Sequence, residues 1–308
     1  MSVSTSKRSS WLGTPLQRRE AIEGYLWIAP WLIGFIVFSL GPILASLYLS
    51  FTEYSIGGLP EWIGFANFSQ AFFNDPLFWP SLGRTAYYAV ATVILGVALS
   101  LLAALLLNQN LRGRSIFRAL YYLPSLTPVV AMAILWQWLL QPQVGMVNYL
   151  LYEVGIRGPG WLTDRAWAIP SLIMVSLWSS IGGGRMIIFL AGLQGVPKEL
   201  HEAAEIDGAN TWQRFTNVTL PLISPVIFFN TILGVIGSFS VFSLAYVATN
   251  GGPNYGTWFY MLHLYYNAFS YFQMGYASAL AWIFFIIISI LSFIQIKLSD
   301  RLVYYEFV

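Results

Sequence analysis

The sequence contains no cysteine and only two histidines, His201 and His263. Disulfides, thiolate metal sites and cysteine nucleophiles are excluded, and a histidine-based metal centre has almost no ligands to draw on. Charge is also scarce. Only 9% of the 308 residues are charged, against about 25% in ordinary soluble domains. With 57% hydrophobic residues, a water-soluble fold would leave large apolar patches exposed, so lipid is the expected solvent. No Gly-x-x-x-x-Gly-Lys-Ser/Thr occurs: Lys7, Lys198 and Lys297 are followed by Arg8, Glu199 and Leu298. Without a phosphate-cradling loop the chain is not itself an ATPase. Glu53, Glu61 and Asp75 are scattered and form no acid–base pair. His263 reads as a polar surface group, and no catalytic or metal site is expected.

What is present is a series of long uncharged stretches. Continuous apolar runs, rather than alternating ones, point to helices. At about 20 residues per crossing, they predict an all-α membrane protein with six spans, over 24–51, 85–108, 118–140, 167–195, 219–247 and 275–297. The run from 215 to 296 is divided by the turn cluster Thr249-Asn250-Gly251-Gly252-Pro253. Residues 1–22 form a basic tail and 23–308 the membrane domain. The first apolar run is too long for a signal-peptide core and reads as an uncleaved span.

Lysine and arginine set the expected orientation. With the N-terminus inside, Lys7, Arg8, Arg18, Arg19, Arg112, Arg114, Arg118, Lys198, Arg214, Lys297 and Arg301 fall on the inner side. Only Arg84, Arg157 and Arg165 fall outside, so both termini are expected in the cytoplasm. Most tryptophans and tyrosines near span ends, among them Trp27, Trp31, Tyr87 and Tyr88, read as interfacial anchors.

The longest charged inner loop, 196–218, separates the fourth and fifth spans. Pro197 suits a first helical position, and Glu199 and Glu202 complement the positive end of the helix dipole. The helix is predicted to reach about Asp207, with Gly208 taking a left-handed stop. Asn210 then caps a second short helix to about Phe215, and Pro221 and Pro225 mark the return to the membrane. Ala203 and Ala204 permit close approach of a partner. The result reads as a compact docking knob.

Glu202-Ala203-Ala204, three residues, Gly208, nine residues, then Val218-Thr219-Leu220-Pro221 resembles the EAA loop of ABC importer permeases, which usually carry Ile where Val218 stands. Gly41-Pro42, Trp62–Phe68, Asp75–Trp79 and Ala191–Gln194 also resemble that family. Thr249–Pro253 is similar to the external loop of its maltose- and glycerol-phosphate-type first subunits. The resemblance implies a type I importer transmembrane domain in a bacterial or archaeal cell membrane. It implies a homologous second permease, two ATPase subunits carrying ATP and magnesium, and an extracytoplasmic sugar-binding protein. No cofactor is expected on this chain, and no nucleic-acid partner. In the family this loop is the coupling helix, which implies ATPase contact for Glu199, Glu202, Ala203, Ala204, Asp207, Gly208, Ala209 and Arg214.

Arg185 is expected within the fourth span, after Gly182-Gly183-Gly184, roughly 15 Å from its inner end at 1.5 Å per residue. An intramembrane arginine faces a cavity or a partner. Two readings stay open, a pathway residue or a structural one. Asn230, Gly234, Gly237, Ser238, Val241 and Phe242 recur at helical spacing in the fifth span. They permit close helix packing, or leave room for a sugar ring against Phe239 or Phe242. In the maltose-type subunit this span carries sugar contacts. The rival class is an ion-gradient-driven secondary transporter, which needs a coupling site. No Asp or Glu lies in any expected span interior.

Overall fold

The computed structural model describes residues 15–109 and 112–304; Lys7, Arg8 and most of the predicted tail lie outside them. Among the described residues, three helices are long and apolar enough to cross a membrane unaided: α1 (Leu16–Leu49), α2 (Phe78–Asn108) and a last helix beginning at Met274. Between α2 and that helix lie three bent helix pairs, each long and apolar enough to cross if taken as one. The first joins α3 (Arg114–Tyr122), through a tight turn at Leu123–Leu126, to α4 (Val129–Leu139). After the short α5 (Met146–Glu153), the second pairs α6 (Arg165–Ser180) with α7 (Gly184–Gln194). The loop helices α8 (Lys198–Ile206) and α9 (Thr211–Arg214) lead into the third pair, completed by α10 (Ser224–Phe239). The short α11 (Ser243–Ala248) and α12 (Tyr260–Tyr265) precede the last helix, α13 (Met274–Leu302).

The bends have local causes. Residues 114–126 meet α4 at 96°, at Thr127-Pro128, with Pro124 inside the preceding turn. The straight span expected over 118–140 is therefore replaced by an angled pair. Alone, the 11 residues of α4 reach only about 16 Å, half a bilayer core. Proline also widens helices here. Gly41 N–H reaches back five residues to Ile36, and Leu220 N–H does the same to Phe215. In each case a proline, Pro42 or Pro221, follows. It has no N–H to donate, and its ring crowds the carbonyl four residues before it.

The core is organised around α2, which runs past α6, α7, α10 and α12. Phe78 enters one buried cluster with Tyr260, Tyr276 and Leu280. Tyr88 enters a second with Leu172 and Phe259. Ala103, Ala104 and Leu107 enter a third with Phe189 and Leu193. Tyr88 is thus no interfacial anchor: it is buried, and its hydroxyl shares a hydrogen bond with Ser176. By contrast, the most apolar part of α1 has no buried residue, and α1 is held to α13 by Trp282 Nε1 donating to Ser46 Oγ at 3.2 Å. The exposed area, 19872 Å², exceeds the ~13,000 Å² expected of a water-soluble monomer of this length. Such a surface needs lipid or partner chains.

The segment after α1 departs from pure helix. Two short antiparallel strands, β1 (Thr52–Glu53) and β2 (Glu61–Trp62), pair there. Buried Asn67 holds the start of β1 by donating to the carbonyls of Ser50 and Thr52. Further on, two residues expected to be unrelated surface groups come together. His263 is 3% exposed, and its Nε2 lies 2.8 Å from Asp75 Oδ2. Trp258 Nε1, which can only donate, points at His263 Nδ1 from 3.2 Å. The imidazole is therefore neutral, with its proton on Nε2. Tyr276 donates to the same carboxylate oxygen at 2.6 Å.

Burial holds the His263 imidazole below its ordinary value, against the pull of Asp75. The Asp75 carboxyl also lies low: burial works to raise it, but the hydrogen bonds from Tyr276 and the Leu77 N–H, with His263, outweigh that. Both shifts have the same consequence. The unfolded histidine takes up a proton near pH 6.5 and the folded one only at a lower pH, so stability falls as pH drops through 6.5. Asp75 adds a second loss below about pH 4. His263→Ala is expected to cost about 1.5–3 kcal/mol and to flatten the pH dependence between 5 and 7. Thermal unfolding of the detergent-solubilised protein at several pH values checks this.

Candidate functional site

Two groups of residues stand apart by their chemistry. The first is the charged loop. The α8 helix begins after Pro197, which takes φ −60°, ψ 133° as the cap residue rather than the first helical position. It ends in a Schellman arrangement, with Ala209 N–H donating to Ala204 O and Gly208 N–H to Glu205 O. Gly208 sits at φ +82°, and nothing lies within 4 Å of where its Cβ would stand. Asn210 opens α9 through a reciprocal capping box with Gln213, at 2.9 and 2.8 Å. The second helix does not stop near Phe215 as expected. It continues through the widened turn Phe215–Thr219 to Leu222 and meets α10 at 64°.

Within the loop, Glu199, Glu202, Ala203, Asp207 and Gly208 are exposed, and Ala204 and Ala209 are partly covered. Arg214 is engaged inside the loop. Its Nη1 pairs with Glu205 Oε2 at 2.5 Å, bracing α8 against α9, and Glu205 was not singled out from the sequence. Two apolar side chains were also missed: Ile206 is 87% exposed and Trp212 70%. Both stand bare among carboxylates on a polar loop. The signal available in the sequence was the apolar residue itself inside a charged stretch.

The second group lies among α2, α7 and α10. The α6–α7 pair bends by 51° at the break that holds Gly182 and Gly183. Gly182 backs directly onto the Tyr121 carbonyl. Arg185 follows in the first turn of α7 and is half-buried. Gly96 of α2 and Gly234 of α10 make room for its guanidinium. A Cβ at Gly96 would overlap Nη1, and one at Gly234 would stand 3.2 Å from Nη2. Neither a hydrogen bond nor an ion pair engages that guanidinium among the described residues.

The fifth-span residues divide between the two readings. Asn230 is buried and returns its amide to Val226 O. Gly234 is buried, and Ser238 accepts from Thr92 Oγ1 of α2 at 3.0 Å. Gly237 faces open space. Val241 and Phe242 fall in a break between α10 and α11, where Phe242 takes φ −137°, ψ −67°. Phe242 stacks on Tyr246 at 5.4 Å and meets Tyr265 at 4.9 Å. The single span expected over 219–247 thus ends at Phe239. A separate cavity of about 690 Å³ lies by α5, among Trp138, Tyr149, Tyr152 and Arg157, and none of the expected site residues lines it.

Residues 96–304 match the family described as binding-protein-dependent transport system inner membrane component. The chain belongs to this family. Among its relatives, the probable ABC transporter permease protein YesP of Bacillus subtilis is 42% identical over 293 residues, covering 94% of each chain. The lactose transport system permease protein LacF of Rhizobium radiobacter is 36% identical, over 95% of this chain and 97% of that one. A solved bacterial ABC transporter involved in the import of the acidic polysaccharide alginate shares the fold. Its TM-score is 0.83 at 24% identity, over 93% of this chain and 98% of that one. Members of this permease family are inner-membrane components, and the long apolar helices described above agree with a membrane protein.

Proposed function

We propose that the chain is a permease subunit of an ATP-driven, binding-protein-dependent importer of sugars or related polyols. The single observation that carries this is the full-length likeness to permeases of that class, lactose and arabinooligosaccharide permeases among them. The absence of a carboxylate from the spans argues against a gradient-driven transporter. Six crossings, three straight and three bent, account for the helices, with both termini and the 196–218 loop in the cytoplasm. A homologous permease completes the pathway, and a binding protein delivers cargo from outside. Two partner ATPases hold ATP and magnesium, and one of them receives α8 and α9 in its cleft. ATP binding must favour one pore state over the other, because a ligand without differential affinity shifts nothing.

In this arrangement Glu202, exposed on α8, forms an ion pair with the ATPase, while Ile206 and Trp212 supply apolar contact. Co-expression of the tagged chain with its second permease and ATPase tests it. Wild type is expected to retain the ATPase through purification, and Glu202→Arg to lose it by about tenfold or more, since reversing an interfacial charge costs several kcal/mol. Purification of the chain alone, indifferent to Glu202, would contradict the importer reading.

A further inference from the structure

We propose that Arg185 reads a carboxylate, and that the cargo of this permease is an acidic saccharide, an oligosaccharide carrying uronate groups. The inference rests on the importer reading and adds the class of sugar. Arg185 is the one charged residue in the interior of the bent fourth crossing. Its place is built. Glycines on two different helices, Gly96 on α2 and Gly234 on α10, stand where any side chain would push its guanidinium aside. Two helices give up side-chain packing to admit one cation, and among the described residues no acceptor meets it. A cation half-removed from water without a counter-charge is costly, and the cost is recovered when an anion arrives.

The chemistry of that anion follows from the site. A neutral sugar is held well enough by hydroxyls, amides and rings, and its hydroxyls are weak acceptors beside an ionised group. A carboxylate offers two oxygens in the plane of the guanidinium fork, with bonds roughly twice as strong. Nothing lies within 4 Å of a Cβ built at Gly237, one helical turn beyond Gly234 on α10. Gly237 is exposed, so no side chain fills that face of α10. Phe242 and Tyr246 stand beyond it at the break, stacked on each other. The arginine also lies in the first turn of α7, next to the break in its crossing, so an anion bound there bears on the joint between two half-helices.

The test uses the complete transporter in proteoliposomes, with trisaccharides of galacturonic, glucuronic and mannuronic acid and the methyl ester of each as probes. The readout is the ratio of acid to ester uptake within each variant, which loss of folded protein lowers on both sides and leaves unmoved. Wild type is expected to favour at least one acid over its ester. Arg185→Gln should cut that ratio by about 10- to 100-fold, and Arg185→Lys should restore part of it. Equal uptake of acid and ester by wild type overturns the proposal. So does a ratio unmoved in Arg185→Gln, which would instead assign Arg185 to an acidic side chain of the second permease. An assembled complex that takes up none of these probes but accumulates lactose or arabinooligosaccharides with ATP also overturns the proposal, and one that accumulates neither acidic nor neutral saccharide overturns the importer reading itself.

Discussion

Gly208→Val is expected to give a complex that assembles and hydrolyses ATP but moves about tenfold less sugar per ATP. The substitution is sterically free, with nothing within 4 Å of the new Cβ. The backbone is what resists. At φ +82° an L-residue pays about 1–2 kcal/mol, and a β-branched one more. The strain falls where Ala209 and Gly208 return hydrogen bonds to the end of α8. Relieving it changes the angle between α8 and α9, and the Glu205–Arg214 brace no longer spans a fixed gap. The loop continues without interruption from α9 to Leu222 and turns 64° into α10. In the proposed mechanism, α8 gripped by the ATPase moves α10 only if the turn is stiff. Gly208→Asn is the control, because asparagine tolerates the left-handed region, and it should retain most of the coupling. Uptake and hydrolysis measured on the same proteoliposomes decide. A valine variant with wild-type uptake per ATP would remove the turn from the mechanism.

The loop was readable because every device in it is local. Gly208 and Asn210 act on backbone within a few residues, and the structure puts each in the turn or cap it favours, while Pro197 sits one place earlier than expected, as the cap residue. Span positions were readable to the extent that length and hydropathy set them. Their shapes were not, although the cause was in view. Pro124 and Pro128 lie inside the run assigned to a straight third crossing, and a count of apolar residues passes over them. The widened turn before Pro221 carried the second loop helix past its expected end for the same reason. What stayed hidden depends on residues far apart in the chain. Asp75 and His263 are 188 positions apart, and no periodicity joins them. Arg185 was visible as a charge in the wrong solvent, yet its place is defined by two glycines on other helices. Gly96 does leave a trace in retrospect: Tyr88, Thr92, Gly96 and Ser100 recur every four residues along one face of α2 and are buried there.

The triple glycine of the fourth crossing should respond to alanine in three different degrees. Gly184 has nothing within 4 Å of a new Cβ and occupies the start of α7, so Gly184→Ala should be neutral or stabilising by about 0.5–1 kcal/mol. Gly183 is extended, at φ −79° and ψ −153°. Its Cβ would stand 3.0 Å from that of Ser125, a short side chain that can shift slightly, and a modest loss is expected. Gly182 faces the backbone carbonyl of Tyr121 at overlap distance, and a carbonyl inside a helix cannot step aside alone. Gly182→Ala must separate the fourth crossing from the angled α3–α4 pair, at or beyond the upper end of the 1–3 kcal/mol typical of overpacking, so about 3 kcal/mol. Melting of the three solubilised variants checks the order. An equal response at 182 and 184 would mean that the glycines serve flexibility at the break. The graded response means that close approach to the third crossing is what demands Gly182, and that the bend at Arg185 is held by packing.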